Sequence, residues 1–471
     1  MSTESFLLMR HEIILTVILL LVLVAEIFSK NKMIVFYVAT GLFLVHTVIG
    51  FIPQQEGFLF GRMYHTNELL HFVKNVLNVG VLIILLQSSG YIKEKLVPGH
   101  KSSEFVMLIF SSLLGMYFMI SSGNFLMFYV GLELSALPIA ALVAFETMKR
   151  RSAEAGIKFI LLAALASGTS LFGVSLLYAS TGTVYFQEMA ALLSYSSLSI
   201  TGFIFFFAGI AFKISLVPFH FWTADVYEGA PIGITSYLSV ISKGAAVTIL
   251  TIILFTVMQS FQEVIHVLLY IVALATMFIG NLFALRQKNM KRFLAFSSIA
   301  QAGFILLGLM ANDQLGISTV VYFITIYVFT NLAAFGVIQA ISLKTGKEDM
   351  EDYTGLYRTN PRLSLVMMLA LFSLAGIPPV AGFFGKFFLF TAAASKGYYL
   401  LVFLAVVNVT ISLYYYLLVI RAIFLRKSEN PIPFFKSDLM MKIGLLITVI
   451  GVLLIGLYSP VYQYIFDLSK L

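Results

Sequence analysis

The sequence contains no cysteine, a single tryptophan and few charged residues. Of its 471 residues only 11% are charged, whereas 60% are hydrophobic. The absence of cysteine excludes disulfides, thiolate metal ligands and iron–sulfur ligation by this chain. The scarcity of charge excludes an ordinary soluble domain, because too few polar residues are available to cover its core. We therefore expect the lipid bilayer to be the solvent of this protein.

Apolar runs of about 20 residues, the length that crosses a hydrocarbon core of roughly 30 Å, recur along the chain. They predict an all-α polytopic membrane protein with about fourteen transmembrane helices. The first run is not followed by a small-residue cleavage site, so we interpret it as a retained helix and not a signal peptide. The predicted spans are 11–28, 33–52, 67–91, 104–122, 124–145, 155–178, 200–220, 230–257, 264–284, 296–310, 317–343, 363–395, 398–426 and 441–465.

Positive charge is concentrated in alternate connections between these spans. One set of connections holds 21 Lys and Arg, whereas the other set, together with both termini, holds four. By the positive-inside rule the first set is cytoplasmic, and both termini are then external. The formal charge of +8 is thus a topology signal, and we expect no nucleic-acid partner.

Two spans contain proline in their interiors. The seventh includes LVPFH (216–220), and the twelfth includes AGIPPVAGFFGK (375–386). Because proline removes a backbone donor and clashes with the preceding turn, both helices should be interrupted near the middle of the membrane. A simple kink is the alternative. Two such helices five spans apart, each with a lysine near the break, favour an internal repeat with discontinuous helices along a polar path.

Five lysines and no arginine lie within the predicted spans: Lys74, Lys158, Lys213, Lys243 and Lys386. A buried lysine can release its proton, whereas arginine hardly ever does, so this selectivity favours proton chemistry. Lys213, Lys243 and Lys386 are the strongest candidates, since the first and third flank the helix breaks and the second is far from either surface. For Lys74 and Lys158 the alternative is a side chain that extends to the nearby surface.

Glu133 is the only carboxylate near the centre of any predicted span. An unpaired carboxylate in a low dielectric would take up a proton or destabilise its helix. We therefore expect Glu133 to form an ion pair with Lys213. A proton that arrived nearby would weaken this pair and free the charge of the lysine to act on the next site.

His220 follows the proline of the seventh span, and histidine suits a proton relay because it titrates near neutral pH. The alternative is an interfacial polar residue beside Trp222. His46 and His71 are expected to be hydrogen-bonded helix residues. We find no metal-ligand cluster, phosphate-binding loop or nucleophile with a base, so the predicted chemistry is charge movement, with no cofactor in this chain.

Five segments resemble the antiporter-like membrane subunits of proton-pumping NADH:quinone oxidoreductase, complex I. The resemblance covers roughly residues 104–426, and its motif at 209–231 is highly specific. Among the sister subunits, the lysine in GFFGKF and the lack of a long lateral C-terminal helix fit one member best. The segments are VGLELSALPIAALVAF (130–145), EAGIKFILLAALASG (154–168), GIAFKISLVPFHFWTADVYEGAP (209–231), NMKRFLAFSSIAQAGFILLG (289–308) and FSLAGIPPVAGFFGKFFLF (372–390).

That family is similar to Mrp-type antiporter subunits, so the resemblance implies two inverted five-helix repeats with discontinuous seventh and twelfth helices. It implies that Glu133 and Lys213 form the charge pair of a first half-channel. Lys243 would be the central relay and Lys386 the lysine of a second half-channel, while Lys158 and His220 match further polar positions. The implied parts of a single membrane domain (1–471) are three N-terminal helices (1–103), the two repeats (104–257 and 264–426) and a C-terminal helix (441–471).

The resemblance further implies a proton-translocating subunit of a respiratory enzyme in a bacterial inner membrane, with other membrane subunits of complex I as partners. FMN, iron–sulfur clusters and quinone would belong to the complex and not to this chain. Three alternatives stay open: an Mrp-type cation/proton antiporter subunit, the equivalent subunit of a membrane-bound hydrogenase, and a structural spacer. The residues also leave open whether the ion is H⁺ or Na⁺.

Overall fold

The computed structural model describes residues 6–99 and 101–470. Nearly all of this part of the chain is helical. The helices are α1 (Arg10–Phe28), α2 (Lys32–Ile49), α3 (Glu68–Tyr91), α4 (Ser102–Ile120), α5 (Phe125–Val143), α6 (Arg150–Thr181), α7 (Ser197–Ile214), α8 (Phe221–Gly229), α9 (Ile232–Thr256), α10 (Gln262–Ala284), α11 (Met290–Leu309), α12 (Gln314–Thr345), α13 (Pro361–Ala375), α14 (Ala381–Ser395), α15 (Tyr399–Phe424), α16 (Leu439–Leu457) and α17 (Pro460–Leu468), with two shorter connecting helices at Phe186–Leu192 and Leu356–Thr359.

Within the described residues, thirteen helices are long and apolar enough to cross a membrane, judged by length and composition. Two shorter apolar helices, α13 and α14, follow one another across a break and together make a fourteenth crossing. The predicted all-α polytopic fold is therefore confirmed. The last predicted span, 441–465, is divided in the structure, because α16 ends at Leu457 and α17 begins at Pro460.

Helices α9, α11 and α12 lie at the centre of the bundle and are almost wholly buried. Helices α1, α6 and α15 lie at its periphery, where most of their apolar residues are exposed. Because lipid is as apolar as these side chains, outward-facing leucine and valine are compatible with a membrane. Lys243 lies on one of the central helices.

The two broken helices share one backbone design. Helix α7 ends at Ile214, and the next residue, Ser215, adopts a left-handed conformation with φ of 69°. Helix α13 ends at Ala375, and Gly376 adopts the same conformation with φ of 84°. A cis peptide bond to proline follows each of them, at Val217–Pro218 and Pro378–Pro379. The interruptions predicted from the prolines are thus present in both spans.

The seventh predicted span extends further than expected. Residues 221–229 lie between two predicted spans and were expected to be a connection that carries Asp225 and Glu228, but they form the half-helix α8. The physical reason is that the two acidic residues are three positions apart and lie on one helix face, where basic side chains bind them. The broken helix therefore has a second half on the side of the Lys- and Arg-rich connections.

Two long helices occupy matching places before the breaks. Helices α6 and α12 each have 32 residues, and each ends at a glycine in a left-handed conformation, Gly182 and Gly346. The sequence pattern did not predict this similarity of length. Together with the two breaks, it supports the two-repeat architecture.

A small β-hairpin joins α2 to α3. Its strands β1 (Gly57–Leu59) and β2 (Tyr64–Thr66) are antiparallel. Strand β2 also contacts the turn after α4, where Tyr64 pairs with Ser122. The hairpin therefore covers the ends of α3 and α4 on the face where α1 begins.

Helix α9 contains one turn of π-helix, Leu238–Ser242, directly before Lys243. Single π-helical turns occur inside α-helices frequently at functional sites. This turn lies in the most buried region of the molecule, so it sets the orientation of a lysine that has no route to solvent.

Candidate functional site

Lys386 lies at the second helix break. Its side chain is 4% exposed, and its Nζ donates to the carbonyl oxygens of Leu374 at 2.6 Å and Ala375 at 3.2 Å. These are carbonyls at the end of α13, which have no partner within their own helix because the helix stops there. The ring of Phe304 lies under the ammonium, 5.0 Å from its centroid. The break thus supplies the groups that solvate this buried charge.

Lys243 lies at the centre of the bundle on α9. Its side chain is 2% exposed, and its Nζ donates to the hydroxyl of Ser298 at 2.6 Å and to the Ser298 carbonyl at 3.1 Å. No carboxylate of the described chain forms an ion pair with it. A serine hydroxyl can both accept and donate, so Ser298 can pass a hydrogen bond onward.

A polar connection links Lys243 to Lys386 along one face of α11. Ser298 and Gln301 are three residues apart and therefore share that face. The side-chain amide of Gln301 donates to the carbonyl of Leu374 at 3.1 Å, and this is the same oxygen that accepts from Lys386. Lys243 thus binds Ser298 on α11, and Lys386 shares the Leu374 carbonyl with Gln301 on the same helix.

A small cavity lies beside this connection. Its volume is about 10 Å³, and its lining includes Gln301, Tyr327, Ser373 and Lys386. A cavity of roughly 10–15 Å³ accepts the centre of one water molecule, provided that polar partners are present. The lining groups meet that requirement, so one water fits next to the Lys386 ammonium.

Sequence reasoning missed Ser298 and Gln301. Both are neutral, and only ionisable residues were treated as candidates within the spans. The signal was nevertheless present in FSSIAQAG (296–303), where polar residues recur at three-residue spacing inside an apolar helix. Tyr416 was missed for the same reason, although its hydroxyl contacts Ser297 at 2.5 Å.

Lys213 lies at the end of the helix before the first break. It is 8% exposed, and its Nζ donates to the hydroxyl of Ser135 on α5 at 3.3 Å. That hydroxyl itself donates to the carbonyl of Leu132 at 2.7 Å, which leaves its lone pairs for the lysine. The indole of Trp222 donates to the carbonyl of Phe212 at 3.0 Å. In this break a neutral indole, and not the lysine, binds a carbonyl at the end of the helix, and this carbonyl also accepts from the backbone N–H of Ser215.

The predicted ion pair between Glu133 and Lys213 is not formed in the described structure. Lys213 binds Ser135 instead, and Oε1 of Glu133 is buried without a hydrogen-bond partner. The reason is helical geometry, because two residues of one helix point in directions about 200° apart. Glu133 lies on the face of α5 that also presents exposed Leu126, Val130 and Leu137.

His220 lies in the segment that joins α7 to α8. It is 6% exposed, its ring packs on Phe221 with centroids 4.5 Å apart, and its Nδ1 has no hydrogen-bond partner. His220 and Trp222 are both buried within the protein. A buried ring nitrogen without a partner is available for proton exchange.

Lys158 lies apart from the other predicted residues. Its side chain is 41% exposed and forms ion pairs with Glu154 and Asp225, each at 2.7 Å. Arg292 contacts Asp225 and Glu228 at 2.8 Å, and the group surrounds a cavity of about 210 Å³. Lys158 thus belongs to a surface ion cluster, in agreement with the alternative of a side chain that extends to the nearby surface.

Asp225 is the centre of this ion cluster. Its partial burial acts to raise its pKa, but the hydrogen bonds from Lys158 and Arg292 outweigh that effect and hold the pKa below its ordinary value. Asp225 therefore stays ionised at neutral pH. The cluster fixes α8 to α6 and α11 at the end of the bundle.

Among residues 6–99 and 101–470, no three His, Cys, Asp or Glu side chains are placed so that they could hold a metal ion. Three lysines are buried with neutral partners, and two of them share one polar connection. The arrangement can therefore hold, release and exchange protons at fixed positions inside an apolar bundle.

Comparisons with known proteins agree with this geometry. Residues 122–412 match the family model described as "NADH:quinone oxidoreductase/Mrp antiporter, TM". The NADH-quinone oxidoreductase subunit N of Phocaeicola vulgatus is 47% identical, with 100% of both chains covered. The subunit N of Azobacteroides pseudotrichonymphae is 44% identical and covers 100% of this chain and 99% of the relative.

Solved structures show the same fold. A chain of respiratory complex I from Thermus thermophilus has a TM-score of 0.78 at 29% identity, with 96% of this chain and 98% of that chain covered. A chain of the Mrp complex from Dietzia sp. DQ12-45-1b has a TM-score of 0.86 at 21% identity, with coverage of 100% and 97%. The resemblance inferred from the motifs is confirmed, and this membrane-embedded chain belongs to the NADH:quinone oxidoreductase/Mrp antiporter family.

Proposed function

We propose that this chain is a proton-translocating membrane subunit of a respiratory NADH:quinone oxidoreductase. Two relatives that it matches over its full length carry the name NADH-quinone oxidoreductase subunit N. Quinone reduction in other subunits supplies the energy, and this chain moves protons through Lys213, Lys243 and Lys386. The observation that carries the proposal is that Lys243 binds Ser298 on α11, while Lys386 binds the carbonyl of Leu374, which also accepts from Gln301 on the same face of α11.

The chemistry of this series follows from the partners of the lysines. Each ammonium donates only to neutral groups, namely hydroxyls and carbonyls, so its charge is not cancelled by an adjacent carboxylate. Charges in a low dielectric interact over long distances. A proton gained at Lys243 therefore disfavours a second proton at Lys386 and promotes its release.

Lys386 is the releasing end of the connected pair. When it loses a proton, its bonds to the carbonyls of Leu374 and Ala375 weaken, while Gln301 still donates to Leu374. The released proton passes to water in the adjoining cavity, because a backbone carbonyl cannot carry it onward. The backbone at the break thus stays bonded in both protonation states.

Glu133 and His220 act at the first break in this proposal. Oε1 of Glu133 and Nδ1 of His220 are buried without partners, so each is free to accept a proton or a new hydrogen bond. Lys213 lies between the helices that carry them, held by a single hydroxyl. Lys158 takes no direct part, since it is bound in the surface ion cluster.

The assembly has further parts outside this chain. Neighbouring membrane subunits of the complex are its partners, and FMN, iron–sulfur clusters and quinone are bound elsewhere in the complex. The location is a bacterial inner membrane with both termini external, which the 21-to-4 distribution of Lys and Arg supports. The two repeats comprise residues 104–257 and 264–426.

A second candidate function is an Mrp-type cation/proton antiporter subunit. The observation that favours this second candidate is the similarity of fold to the Mrp complex chain, with a TM-score of 0.86. The same lysines would then exchange a cation for protons without redox chemistry. Sodium dependence of transport separates this candidate from the first.

The experiment is to tag the chain, extract it gently from native membranes, identify the co-purifying subunits and assay NADH-dependent quinone reduction. A particle with flavin and iron–sulfur subunits that pumps protons into liposomes during turnover is the expected result. A flavin-free particle with membrane partners alone, or transport driven by a sodium gradient, would contradict the proposal and favour the antiporter.

A further inference from the structure

A second polar cluster, which the lysine series does not use, lies among the N-terminal helices. It joins the first turns of α1 and α3 to the last turns of α2 and α4, next to the β-hairpin. Three histidines form its centre: His11 is 2% exposed, His46 is 1% exposed and His71 is 8% exposed. A cluster of three buried imidazoles is costly in an apolar bundle unless every ring has polar partners.

The imidazoles contact one another directly. Nε2 of His11 lies 2.9 Å from Nδ1 of His71, and the ring centroids are 4.6 Å apart. The ring of His46 lies edge-on to that of His11, with centroids 5.3 Å apart. In the short bond between His11 and His71, one ring nitrogen must carry the proton and the other must accept it.

The outer side of His71 accommodates both of its tautomers. Its Nε2 is 3.1 Å from the carbonyl oxygen of Ile52, which can only accept, and 3.0 Å from an Nη of Arg10, which can only donate. With a proton on Nε2, His71 donates to Ile52; without it, Nε2 accepts from Arg10. The guanidinium of Arg10 also donates to Ile52 at 2.6 Å, so the carbonyl stays bonded in either case.

The inner side of the cluster is also bonded. Nδ2 of Asn78 lies 3.4 Å from Nδ1 of His11 and 3.4 Å from Nε2 of His46. The hydroxyl of Tyr117 donates to Oδ1 of Asn78 and lies 3.2 Å from the His46 ring. Asn78 is ten residues into α3, about 15 Å along its axis, so the cluster extends from the surface toward mid-membrane.

A buried ion pair stands beside the histidines. Nζ of Lys74 contacts Oε1 of Glu12 at 2.5 Å, and the two side chains are 1% and 2% exposed. The hydroxyl of Tyr64 donates to Glu12 at 3.0 Å. This pair answers the open question about Lys74, which is paired internally and does not extend to the surface. The other titratable or charged groups facing the histidines are Arg10 on α1, Tyr117 on α4 and His65 on the hairpin, with Glu56 and Glu68 exposed at the rim.

The backbone leaves room for the cluster at one position. At Gly50, which ends α2, an added Cβ would lie 2.1 Å from Oδ1 of Asn75 and 3.1 Å from Cε1 of His11. Only glycine allows α2 to approach so closely. The end of α2 is thus shaped around polar side chains and not around the surrounding leucines.

We propose that His71 and His11 form a proton-loading site that exchanges protons between the face where α1 begins and the interior of the N-terminal helices. A proton binds Nε2 of His71, and the Nδ1 proton of the same ring passes to Nε2 of His11. The step starts from His11 with its proton on Nδ1, so the Asn78 amide must turn to present its oxygen to that nitrogen. His71 is then neutral in its other tautomer, and His11 carries the charge. The proposal deepens the proposed function and rests on it, because a loading site serves a chain that translocates protons.

The site is separate from the lysine series. Leu77, next to Asn78 on α3, packs against Gly244 on α9, so an apolar contact lies between the histidines and Lys243. The loaded proton therefore acts on the interior through its charge, next to the Lys74–Glu12 pair, unless water enters. The cluster also lies before residue 122, outside the region matched by the family model.

The first experiment uses the unaltered complex and measures deuterium exchange at the C2–H of each histidine by mass spectrometry, as a function of pH. We expect the exchange rates at His11 and His71 to change together as the pH is varied, because their titrations are coupled. His266, on α10 and outside the cluster, serves as a reference. Rates at His11 and His71 that stay flat while His266 titrates would overturn the proposal.

The second experiment compares His71→Gln with His266→Gln in complexes reconstituted into liposomes. The glutamine amide can still donate to Ile52 but cannot transfer a proton through a ring. We expect protons pumped per quinone reduced to fall at least about threefold for His71→Gln when the α1 face is alkaline. Equal pumping by both variants would contradict the loading role.

Failure of the proposed function and failure of the loading site give different experimental results. If Lys213→Met and Lys386→Met leave pumping intact, the proposed function is wrong, while the deuterium titration still decides whether His71 and His11 bind protons. If those lysine variants abolish pumping and the histidine rates are flat, the loading site alone is wrong. His11→Asn provides the second variant should His71→Gln prevent assembly.

Discussion

The two helix breaks have the same backbone but place their lysines on opposite sides. In each, a left-handed residue precedes the cis proline by three positions: Ser215 before Pro218, and Gly376 before Pro379. Lys213 comes five residues before its proline, whereas Lys386 comes seven residues after. The repeat therefore preserves the interruption, and the charged residue can be supplied from either half-helix.

Counting from the proline gives a second contrast. The position that corresponds to Lys386 in the first break is Asp225, seven residues after Pro218. Asp225 is not buried in the series but bound to Lys158 and Arg292 in the surface ion cluster. The same position relative to the proline thus holds a buried lysine in one repeat and an ion-paired aspartate that attaches a helix in the other.

The two breaks also differ in how completely their polar groups are bonded. Lys386 donates to two carbonyls, and one of these also accepts from Gln301. Lys213 has one hydroxyl partner, and Oε1 of Glu133, Oγ of Ser215 and Nδ1 of His220 are all buried without partners. An unbonded buried polar group costs about 1–3 kcal/mol. Oε1 of Gln301, beside the second break, is buried without a partner as well, so each break contains polar groups that a rearrangement could satisfy.

The strongest test of this comparison is Lys386→Met. We expect coupled turnover to fall by at least about tenfold, because a positioned proton-transfer group contributes that much or more. Assembly should persist, since Gln301 still holds the Leu374 carbonyl. The measurement is uncoupler-sensitive proton pumping by reconstituted complexes. Lys396→Met, at an exposed lysine paired with Asp313, is the control; equal loss in both variants would rule out a special role for the break.

Lys213→Arg tests whether the first break needs a charge or a proton that can leave. Arginine keeps the positive charge but does not release it, so we expect pumping to fall by about five- to tenfold. Lys344→Arg is the control, because that lysine binds Glu94 outside the buried series. Full pumping by Lys213→Arg would mean that fixed charge is sufficient there.

Gln301→Leu removes the link between the two lysines without changing any charge. We expect roughly a threefold loss of pumping, since Lys386 keeps both carbonyls but the small cavity loses a polar wall. Gln339→Leu is the matched control, because Gln339 is a buried glutamine on α12 that contacts Ser88, away from the lysines. Identical behaviour of the two variants would indicate that the α11 face is only a packing surface.

The smallest effect is expected for Asp225→Asn. The folded-state pKa of Asp225 is held below its ordinary value, so the ion cluster stabilises the protein above that ordinary pKa and the effect is lost as the pH falls toward the folded value. We expect a loss of about 0.5 kcal/mol, because the group is partly exposed and screened. Thermal unfolding of the purified complex should show a constant difference down to about pH 4 and a shrinking one below. Asp467→Asn is the surface control.

Much of the fold could be predicted from the sequence, because apolar length and proline placement determine spans and breaks. Lys213, Lys243 and Lys386 could be identified because charge is rare in a membrane core. The direction in which the Glu133 side chain points could not be predicted, since the sequence does not show which face of α5 packs against another helix. Ser298 and Gln301 were missed because neutral polar side chains are common in membrane helices, and only the fold shows that they lie between two lysines.

The half-helix α8 was not predicted from the sequence, for a different reason. Asp225 and Glu228 made this segment look like a loop, because buried charge is unfavourable without partners from other helices. Those partners come from α6 and α11, which are distant in sequence. The N-terminal histidines were likewise expected to be ordinary hydrogen-bonded residues, since only the tertiary fold brings His11 and His71 together.

The π-helical turn before Lys243 has a rotational consequence. A π turn accommodates one residue more than an α turn, and each residue of an α-helix advances by about 100°. The direction of the Lys243 side chain is therefore set by the width of the turn at Leu238–Ser242. Conversion of that turn to regular α-helix would rotate Lys243 by about 100° relative to the residues before Leu238 and so turn its ammonium away from Ser298. The hydrogen-bond pattern of one helical turn thus determines in which direction around the helix axis the central lysine points.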